Sequence, residues 1–461
     1  MDKDIGLSEL IFDYYKSRIL FGYCKYGDSL PSILGICEVW QLGSNTVRRA
    51  FDSLEERGYI QSEERRGSIV AYKGTPEIFE KNRAEYLVPR EEGIRDFFKA
   101  AKLLLRPVWE SILREAERSD RVVPYRKQFE KLIKAAPPAV KFYVEKVMPM
   151  ENSLLASLYW ESLRYVNFSY ANRNWSPIGE RAKEGQKPGR DFSAAGGPYN
   201  DAQEEVLEFI AKTRKKYHLE GTTQIPFKWN IYRRRPQIRY SLATIIIQEI
   251  ICGRYPIDSF LPSLAQMAEE QGVSLNTARR AVAMLNSLGV TKSYHGRGTK
   301  ICIEPVPIDF SAPDIQENLR LHRESLDLMA MTIRGVLLFT LKSASKEKRE
   351  KLKRHFAEII MDHRGILGFN AAVGFICEEC PSAMVRECYA RLREYVMWGY
   401  VLSLGLLKSE EFHAKFTEAV RPMAESLEKD DLTAFADGWQ RLMESVAEGV
   451  PKAEVMKNCK S

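Results

Sequence analysis

Two short runs of asparagine, threonine and arginine hold the side chains of this chain that are best suited to recognising another molecule. The runs are Asn45-Thr46-Val47-Arg48-Arg49-Ala50 and Asn276-Thr277-Ala278-Arg279-Arg280-Ala281. A helix that enters the DNA major groove reads bases from its first turns, with arginine pairing to guanine and asparagine to adenine or phosphate. Each run therefore predicts a nucleic-acid contact, and no catalytic residue is predicted.

Both runs belong to a longer sequence repeat with a constant offset of 231 residues. Leu30-Pro31-Ser32 recurs as Leu261-Pro262-Ser263. Four further positions match without a gap: Gly22, Leu54, Gly58 and Gly67 recur as Gly253, Leu285, Gly289 and Gly298. Repetition over this length indicates two copies of one folding unit.

The apolar residues within and after each run have the spacing of one helix face. They follow the i, i+3, i+4, i+7 pattern in both copies. In the first copy they are Val47, Ala50, Phe51 and Leu54, and in the second Ala278, Ala281, Val282 and Leu285. The pattern predicts that these residues pack inward, and that the asparagine, the threonine and both arginines of each run are exposed.

Two helices are predicted before this helix, and a small hairpin after it. Residues 7–21 have helical apolar spacing, and Ser32 is placed to cap a second helix. Strands are predicted at 59–62 and 68–72, and again at 290–294 and 299–303, each pair around a basic turn that contains glycine. Three helices followed by a hairpin make a winged helix-turn-helix.

This order of motifs resembles the winged-helix domain of the GntR family of bacterial transcription regulators. The second copy is the more similar, with Gly272-Val273-Ser274 before its third helix and His295-Gly296-Arg297-Gly298-Thr299 in its wing. The resemblance implies that Arg48 and Arg279 contact DNA, with the wing glycines near the DNA backbone. The candidate DNA-binding residues are Ser32, Ser44, Asn45, Thr46, Arg48, Arg49, Arg66, Gly67, Ser263, Asn276, Thr277, Arg279, Arg280, His295, Gly296, Arg297, Gly298 and Thr299.

Both copies depart from the family pattern. Leu34 and Ala265 stand where the family usually has an arginine, and so do Ser44 and Leu275. The first copy also lacks the first wing glycine, having Arg66 before Gly67 and Arg65 one residue further back. These differences predict that the two copies read different DNA, so that the operator is asymmetric.

The predicted fold class is mainly α: two winged helix-turn-helix domains, each followed by an all-helical domain. The predicted domains are module 1 (residues 1–75), helical region 1 (76–225), module 2 (226–305) and helical region 2 (306–461). A segment rich in Gly, Pro, Lys and Ser predicts a mobile loop at 176–200. The run Arg233-Arg234-Arg235 is interpreted as a linker, with a phosphate contact as the alternative.

In the GntR family, a helical or mixed C-terminal domain senses a small molecule and often dimerises. A small-molecule effector and a homodimer are therefore candidate partners for this chain, beside double-stranded DNA. The effector is unknown, and no residue is assigned to it. One large subfamily holds a metal with Asp and several His, but the six His of this chain are spread out, so no metal and no cofactor are predicted.

The charge differs between the two copies. Residues 232–304 contain 10 Lys and Arg against 5 Asp and Glu, a net charge of +5, whereas residues 1–75 contain 10 against 11, a net charge of −1. Phosphate contacts from basic residues make DNA binding salt-dependent. Module 2 is therefore expected to supply more of the salt-dependent affinity than module 1.

Other features of the sequence favour a cytoplasmic protein. No secretory signal is predicted, and the longest uncharged run, residues 395–407, is too short to span a bilayer. Eight scattered cysteines fit a reducing compartment. Cys377 and Cys380 form a CxxC pair, but a zinc site needs four ligands, so a metal or redox role for the pair is the weaker interpretation.

The sequence thus predicts a ligand-responsive, DNA-binding transcription regulator whose two modules act as an intramolecular pseudo-dimer on two half-sites. The alternative is a sensory or protein-interaction scaffold in which one or both modules no longer bind DNA. An enzyme is not predicted, because neither helical region has the alternating strand and helix pattern of the aminotransferase-like domain that is fused to some GntR relatives.

Overall fold

The computed structural model describes residues 3–63, 67–116, 136, 138–166, 196–231, 238–304, 313–397, 399 and 409–449. The chain divides into two compact units, residues 1–230 (unit 1) and 231–461 (unit 2). Both units consist mainly of helices, and each contains one two-stranded antiparallel sheet among its described residues.

Unit 1 begins with three helices and a hairpin, and continues with helices. Its elements are α1 (Lys3–Leu20), α2 (Ile33–Trp40), α3 (Ser44–Glu56), β1 (Ile60–Glu63), β2 (Gly67–Val70), α4 (Pro76–Leu87), α5 (Glu91–Ala116), α6 (Pro138–Phe142), α7 (Ser153–Tyr165) and α8 (Gly196–Lys216). Short helical turns at Val88–Arg90, Tyr143–Val147 and Met148–Met150 join some of them.

Unit 2 has the same order of elements at its beginning. Its elements are α9 (Ile238–Ile251), α10 (Leu264–Glu270), α11 (Leu275–Ser287), β3 (Thr291–Tyr294), β4 (Gly298–Ile301), α12 (Pro313–Ser343), α13 (Lys346–Met361), α14 (Gly368–Glu379), α15 (Ala383–Val396), α16 (Glu410–Glu428) and α17 (Leu432–Gly449). A short helical turn at Gly365–Leu367 precedes α14.

The hairpins of the two units have the same register once the offset of 231 is applied. Ile60 pairs with Val70 in unit 1, and Thr291 pairs with Ile301 in unit 2. An additional bridge ties the segment before the second helix to the second strand in both units, at Ser29 and Ile69 and at Phe260 and Lys300. Helices α3 and α11 also begin and end at positions that differ by 231.

The two modules use different side chains for similar cores. Module 1 has an aromatic core, in which the Tyr15 and Phe51 rings lie 5.5 Å apart. Its Trp40 also stacks on Trp160 of α7, with ring centroids 5.1 Å apart. In both modules the buried face of the third helix is anchored to other helices of the same unit, which fixes the direction of its outer face.

The core of module 2 is aliphatic and continues into helical region 2. Buried residues of α9, α11 and the hairpin form one cluster with Ile359, Ile366 and Leu367. Burying such apolar side chains is the main favourable contribution to folding. Module 2 is therefore packed on its own helical region through a shared core.

The predicted loop at 176–200 is wrong for its last five residues. These residues, 196–200, form the first part of α8. Pro198 fits there because the first backbone N–H groups of a helix have no partner within it. The rest of that predicted loop lies outside the described residues, and so do Arg233, Arg234 and Arg235.

The CxxC cysteines are shielded from solvent at the end of α14, and neither forms a disulfide. Burial raises the pKa of the Cys377 thiol to about 11, and Cys380 is buried. The reactive thiolate form of Cys377 is therefore scarce at neutral pH. The described residues contain no group of three or more His, Cys, Asp and Glu side chains placed to share a metal ion. None of the described helices is both long and apolar enough to cross a bilayer.

Candidate nucleic-acid interface

Helix α11 begins at a well-formed N-cap. The Ser274 Oγ accepts a hydrogen bond from the Thr277 backbone N–H at 3.1 Å, and lies 2.8 Å from the Thr277 Oγ1. Capping of this kind satisfies a backbone donor that the first turn leaves without a partner. It fixes the first turn of α11, which is the part of a groove-binding helix that meets the bases.

The outer face of α11 carries the predicted polar residues. Its inward face is formed by Ala278, Ala281, Val282 and Leu285, all buried as predicted. Asn276, Arg279 and Arg280 are exposed. Within the part of the chain that the structure describes, neither arginine forms an ion pair with a carboxylate. Both guanidinium groups are therefore available to an external acceptor.

Helix α3 presents its arginines in the same way. Asn45, Arg48 and Arg49 are exposed, and no described carboxylate pairs with either arginine. Ser44 is exposed at the start of the helix, but the N-cap position is Gly43, which offers no side-chain hydrogen bond. The start of α3 therefore lacks the cap that fixes the start of α11.

The prediction that Thr46 is exposed is wrong. Its side chain is only 1% exposed, and its Oγ1 has no hydrogen-bond partner among the described residues. Thr46 lies four residues before Ala50 and eight before Leu54, so the helix places it on the buried face. Its counterpart Thr277 is partly exposed, with its hydroxyl held by Ser274. Thr46 is therefore a core residue rather than a DNA contact.

The predicted serines Ser32 and Ser263 cap the second helix of each module. The Ser32 Oγ accepts from the Gly35 N–H at 3.1 Å. The Ser263 Oγ accepts from the Gln266 N–H at 3.2 Å, and the Gln266 side chain accepts from the Ser263 N–H at 3.0 Å. This reciprocal capping box satisfies two backbone donors. The geometry gives both serines a structural role at the base of the interface.

The wing of module 2 ends in an exposed three-residue tip. His295, Gly296 and Arg297 join β3 to β4 and are exposed, and the Arg297 N–H donates to the Tyr294 carbonyl at 3.2 Å. Gly298 follows with φ of +98°, a conformation that residues with a Cβ rarely adopt. The Thr299 Oγ1 lies 3.0 Å from the Ser293 Oγ across the hairpin.

The wing of module 1 is less completely defined. Gly67 begins β2 with φ of +80° and is exposed. Arg66, a predicted contact, lies outside the described residues.

In both modules a side chain of the third helix forms a hydrogen bond with the wing, a contact that the sequence patterns did not predict. In module 1 the Glu55 carboxylate accepts from the Ser62 N–H and from its hydroxyl, both at 2.8 Å. In module 2 the Asn286 amide donates to the Ser293 hydroxyl at 2.9 Å. The offset of 231 relates both pairs, so comparing polar positions across the repeat could have found this link.

Part of module 2 matches a known protein family. Residues 240–301 match the model of the gntR family of bacterial regulatory proteins. This segment is a GntR-family helix-turn-helix domain. It contains α10, α11 and the hairpin of module 2, and ends at the last residue of β4.

Solved structures of GntR proteins are also similar to parts of this chain. A Streptococcus agalactiae GntR is 18% identical and matches 46% of this chain and 99% of its own, with a TM-score of 0.21. E. coli McbR/YncC is 11% identical and matches 46% and 96%, with a TM-score of 0.27. A putative transcriptional regulator GntR from Rhodococcus sp. RHA1 is 17% identical and matches 46% and 97%, with a TM-score of 0.25. No curated protein matches the sequence.

Helix α11 of the GntR segment differs in charge from α3. After its two arginines, α11 carries no acidic residue, whereas α3 carries Asp52, Glu55 and Glu56, all exposed. Phosphates repel carboxylates, so these three side chains oppose binding of α3 to DNA. The charge difference between the copies is thus located partly on helices α3 and α11 themselves.

The GntR segment also exposes an apolar side chain at the start of α11. Leu275, the first residue of the helix, is 46% exposed. An apolar side chain at this position of a groove-binding helix is suited to contact the methyl group of thymine. From the sequence pattern alone, Leu275 is only the loss of an arginine.

Proposed function

We propose that this chain is a DNA-binding transcription regulator in which modules 1 and 2 are both winged helix-turn-helix domains. The observation that carries the proposal is the outer face of α11, where Asn276, Arg279 and Arg280 are exposed and without ionic partners among the described residues. This face lies within the segment that matches the GntR family.

The equivalent geometry of module 1 supports a duplicated arrangement. The hairpin register, the additional bridge and the bounds of the third helix recur at an offset of 231. Two DNA-binding modules in one chain would act as a pseudo-dimer on two half-sites, as two subunits of a homodimer do on a palindrome. The different charges of α3 and α11 favour an asymmetric operator.

The remaining parts of the proposal follow from this role. Helical regions 1 and 2 would respond to a small-molecule effector, and two chains could pair to form a homodimer. A regulator that binds chromosomal DNA acts in the cytoplasm. Homology to GntR regulators points to a protein without enzymatic activity.

The alternative is that module 1 contacts another protein instead of DNA. The observation that favours it is the row of exposed carboxylates on α3, from Asp52 to Glu56. Under this alternative module 2 is the only DNA-binding module, so replacing Arg48 would leave DNA binding unchanged.

The test is binding of the full chain to duplex DNA selected by that chain from a random-sequence pool. Affinity should fall steeply with salt, because phosphate contacts release counterions. Arg279→Ala should weaken binding by about 1–3 kcal/mol if the arginine contacts a base in a bidentate manner. Arg48→Ala should weaken binding less, because the carboxylates on α3 already reduce the contribution of module 1.

The matched control is Arg421→Ala, which removes an arginine from α16 in helical region 2. Binding that is insensitive to salt, or loss of affinity in Arg421→Ala as large as in Arg279→Ala, would contradict the DNA-binding role of α11. Unchanged binding in Arg48→Ala alone would favour the alternative for module 1.

A further inference from the structure

A cavity of about 580 Å³ lies in unit 1, between the three-helix part of module 1 and helical region 1. Its walls come from the end of α1, the turn that follows it, the start of α4, and α8. The volume is within the range of pockets that hold small organic molecules. The cavity is partly open to solvent, so a ligand could enter it without unfolding the junction.

One aromatic ring connects the two sides of this cavity. The Phe79 side chain of α4 lies directly against the backbone of Gly22, at the end of α1, and of Gly74, after the hairpin. A Cβ at either glycine would overlap the ring. Gly22 also has φ of +76°, which favours glycine. A molecule beside Phe79 would therefore touch both module 1 and helical region 1.

The side chains of the cavity are suited to an aromatic anion. Phe21, Phe79 and Phe209 supply apolar surface. The Arg83 guanidinium lies 4.2 Å from the centroid of the Phe209 ring. The Arg83 Nε is buried without a hydrogen-bond partner among the described residues. A buried donor of this kind is costly unless an acceptor reaches it, and Lys25 at the rim adds a second positive charge.

The acidic residue of the cavity is already neutralised. The Glu80 carboxylate pairs with the Lys216 ammonium group and accepts a hydrogen bond from the Tyr217 hydroxyl at 2.8 Å. These two hydrogen bonds, from Lys216 first and then from Tyr217, hold the pKa of Glu80 below its usual range. Glu80 therefore does not compensate the charges of Arg83 and Lys25.

The corresponding junction of unit 2 has an arginine at the equivalent glycine. The Arg364 guanidinium covers Gly253 at the end of α9 and donates to the Ile251 carbonyl at 3.1 Å. The core of module 2 also continues into Ile366 and Leu367 beside this arginine. In unit 2 an arginine of the chain itself therefore lies against Gly253, the glycine equivalent to Gly22.

We infer that the cavity of unit 1 binds an aromatic carboxylate, with the ring against Phe79 and Phe209 and the carboxylate on Arg83 and Lys25. Carboxylates form strong charge-assisted hydrogen bonds with guanidinium groups. Because the ligand would touch both sides of the junction, it would fix module 1 relative to helical region 1. Any effect of the bound ligand on DNA affinity rests on the proposed function, whereas binding of the ligand itself does not.

The test uses naphthoate as the probe and the full chain without DNA, with binding followed by isothermal titration calorimetry. Naphthoate should bind saturably, and its uncharged amide should bind more weakly. Arg83→Met keeps the apolar stem against Phe209 and removes the charge. It should weaken naphthoate binding at least about tenfold, the factor expected for loss of a hydrogen bond to a charged group. Arg106→Met, an exposed position of α5 outside the cavity, should leave binding unchanged.

Three results would overturn the inference: no saturable binding of naphthoate, equal binding of the amide, or equal effects of Arg83→Met and Arg106→Met. If circular dichroism shows that Arg83→Met is unfolded, Lys25→Met at the exposed rim provides the same comparison. Adding naphthoate to the DNA-binding assay then tests coupling. A chain that binds naphthoate but no DNA would refute the proposed function and leave the ligand site supported.

Discussion

Lowering the pH from neutral to about pH 5 should destabilise helical region 2, because His322 is buried there without its charge. The side chain is 5% exposed, and its Nδ1 donates to the Tyr395 carbonyl oxygen at 3.2 Å. Its ring lies directly against the backbone of Gly399. Burial lowers the pKa of His322 from its ordinary value of 6.5 to about 4, and hydrogen bonds to the backbone of Tyr395 and Val396 offset only part of this effect.

The sign and size of the effect follow from proton linkage. Between the two pKa values the unfolded chain binds the proton and the folded chain does not, so stability falls as the pH falls. A depressed histidine pKa therefore contributes stability above 6.5 that is lost as the pH approaches 4. The full difference corresponds to about 3 kcal/mol, of which about 2 kcal/mol is lost by about pH 5.

Hydrogen exchange of the full chain, followed by mass spectrometry of peptides from α12, would measure this loss locally. After correction for intrinsic exchange rates, opening of α12 should become easier by about 2 kcal/mol between neutral pH and about pH 5. His322→Gln should remove most of this pH dependence, whereas His355→Gln, at an exposed position of α13, should keep it. An unchanged pH dependence in His322→Gln would refute the assignment to His322.

Three further predictions concern the modules. In competition binding, the unaltered chain should prefer thymine over uracil in the half-site of module 2 by about 0.8 kcal/mol, and Leu275→Ala should abolish this preference. Equal preferences in both proteins would exclude a contact with the thymine methyl group. Thr46→Val should stabilise module 1 to thermal unfolding by up to about 1 kcal/mol, because it removes a buried hydroxyl without a partner, and should leave DNA affinity unchanged. Thr277→Val should be destabilising. A loss of DNA affinity in Thr46→Val would indicate that Thr46 contacts DNA. Glu55→Gln should raise DNA affinity at low salt by about 0.4 kcal/mol, the Coulomb energy between a carboxylate and a phosphate about 10 Å apart in water. The gain should vanish at high salt. A gain that is independent of salt would indicate a change in wing geometry instead.

The sequence determined the secondary structure of both modules because that information is local. Apolar spacing predicted the inward faces of α3 and α11, and Ser32 before α2 was recognised as a cap. The repeat placed the hairpins within one or two residues of their observed bounds. The one exposure error in α3, at Thr46, came from starting the apolar face at Val47 instead of one residue earlier.

What the tertiary structure decided depends on contacts between residues that are distant in the chain. The core of module 1 meets Trp160 through Trp40 of α2, and the core of module 2 includes Ile366, and no local pattern reveals either contact. The cavity around Phe79 likewise depends on residues far apart in the chain, from Phe21 to Phe209. A local spacing rule can assign a side chain to a face of a helix, but only packing decides what that face meets.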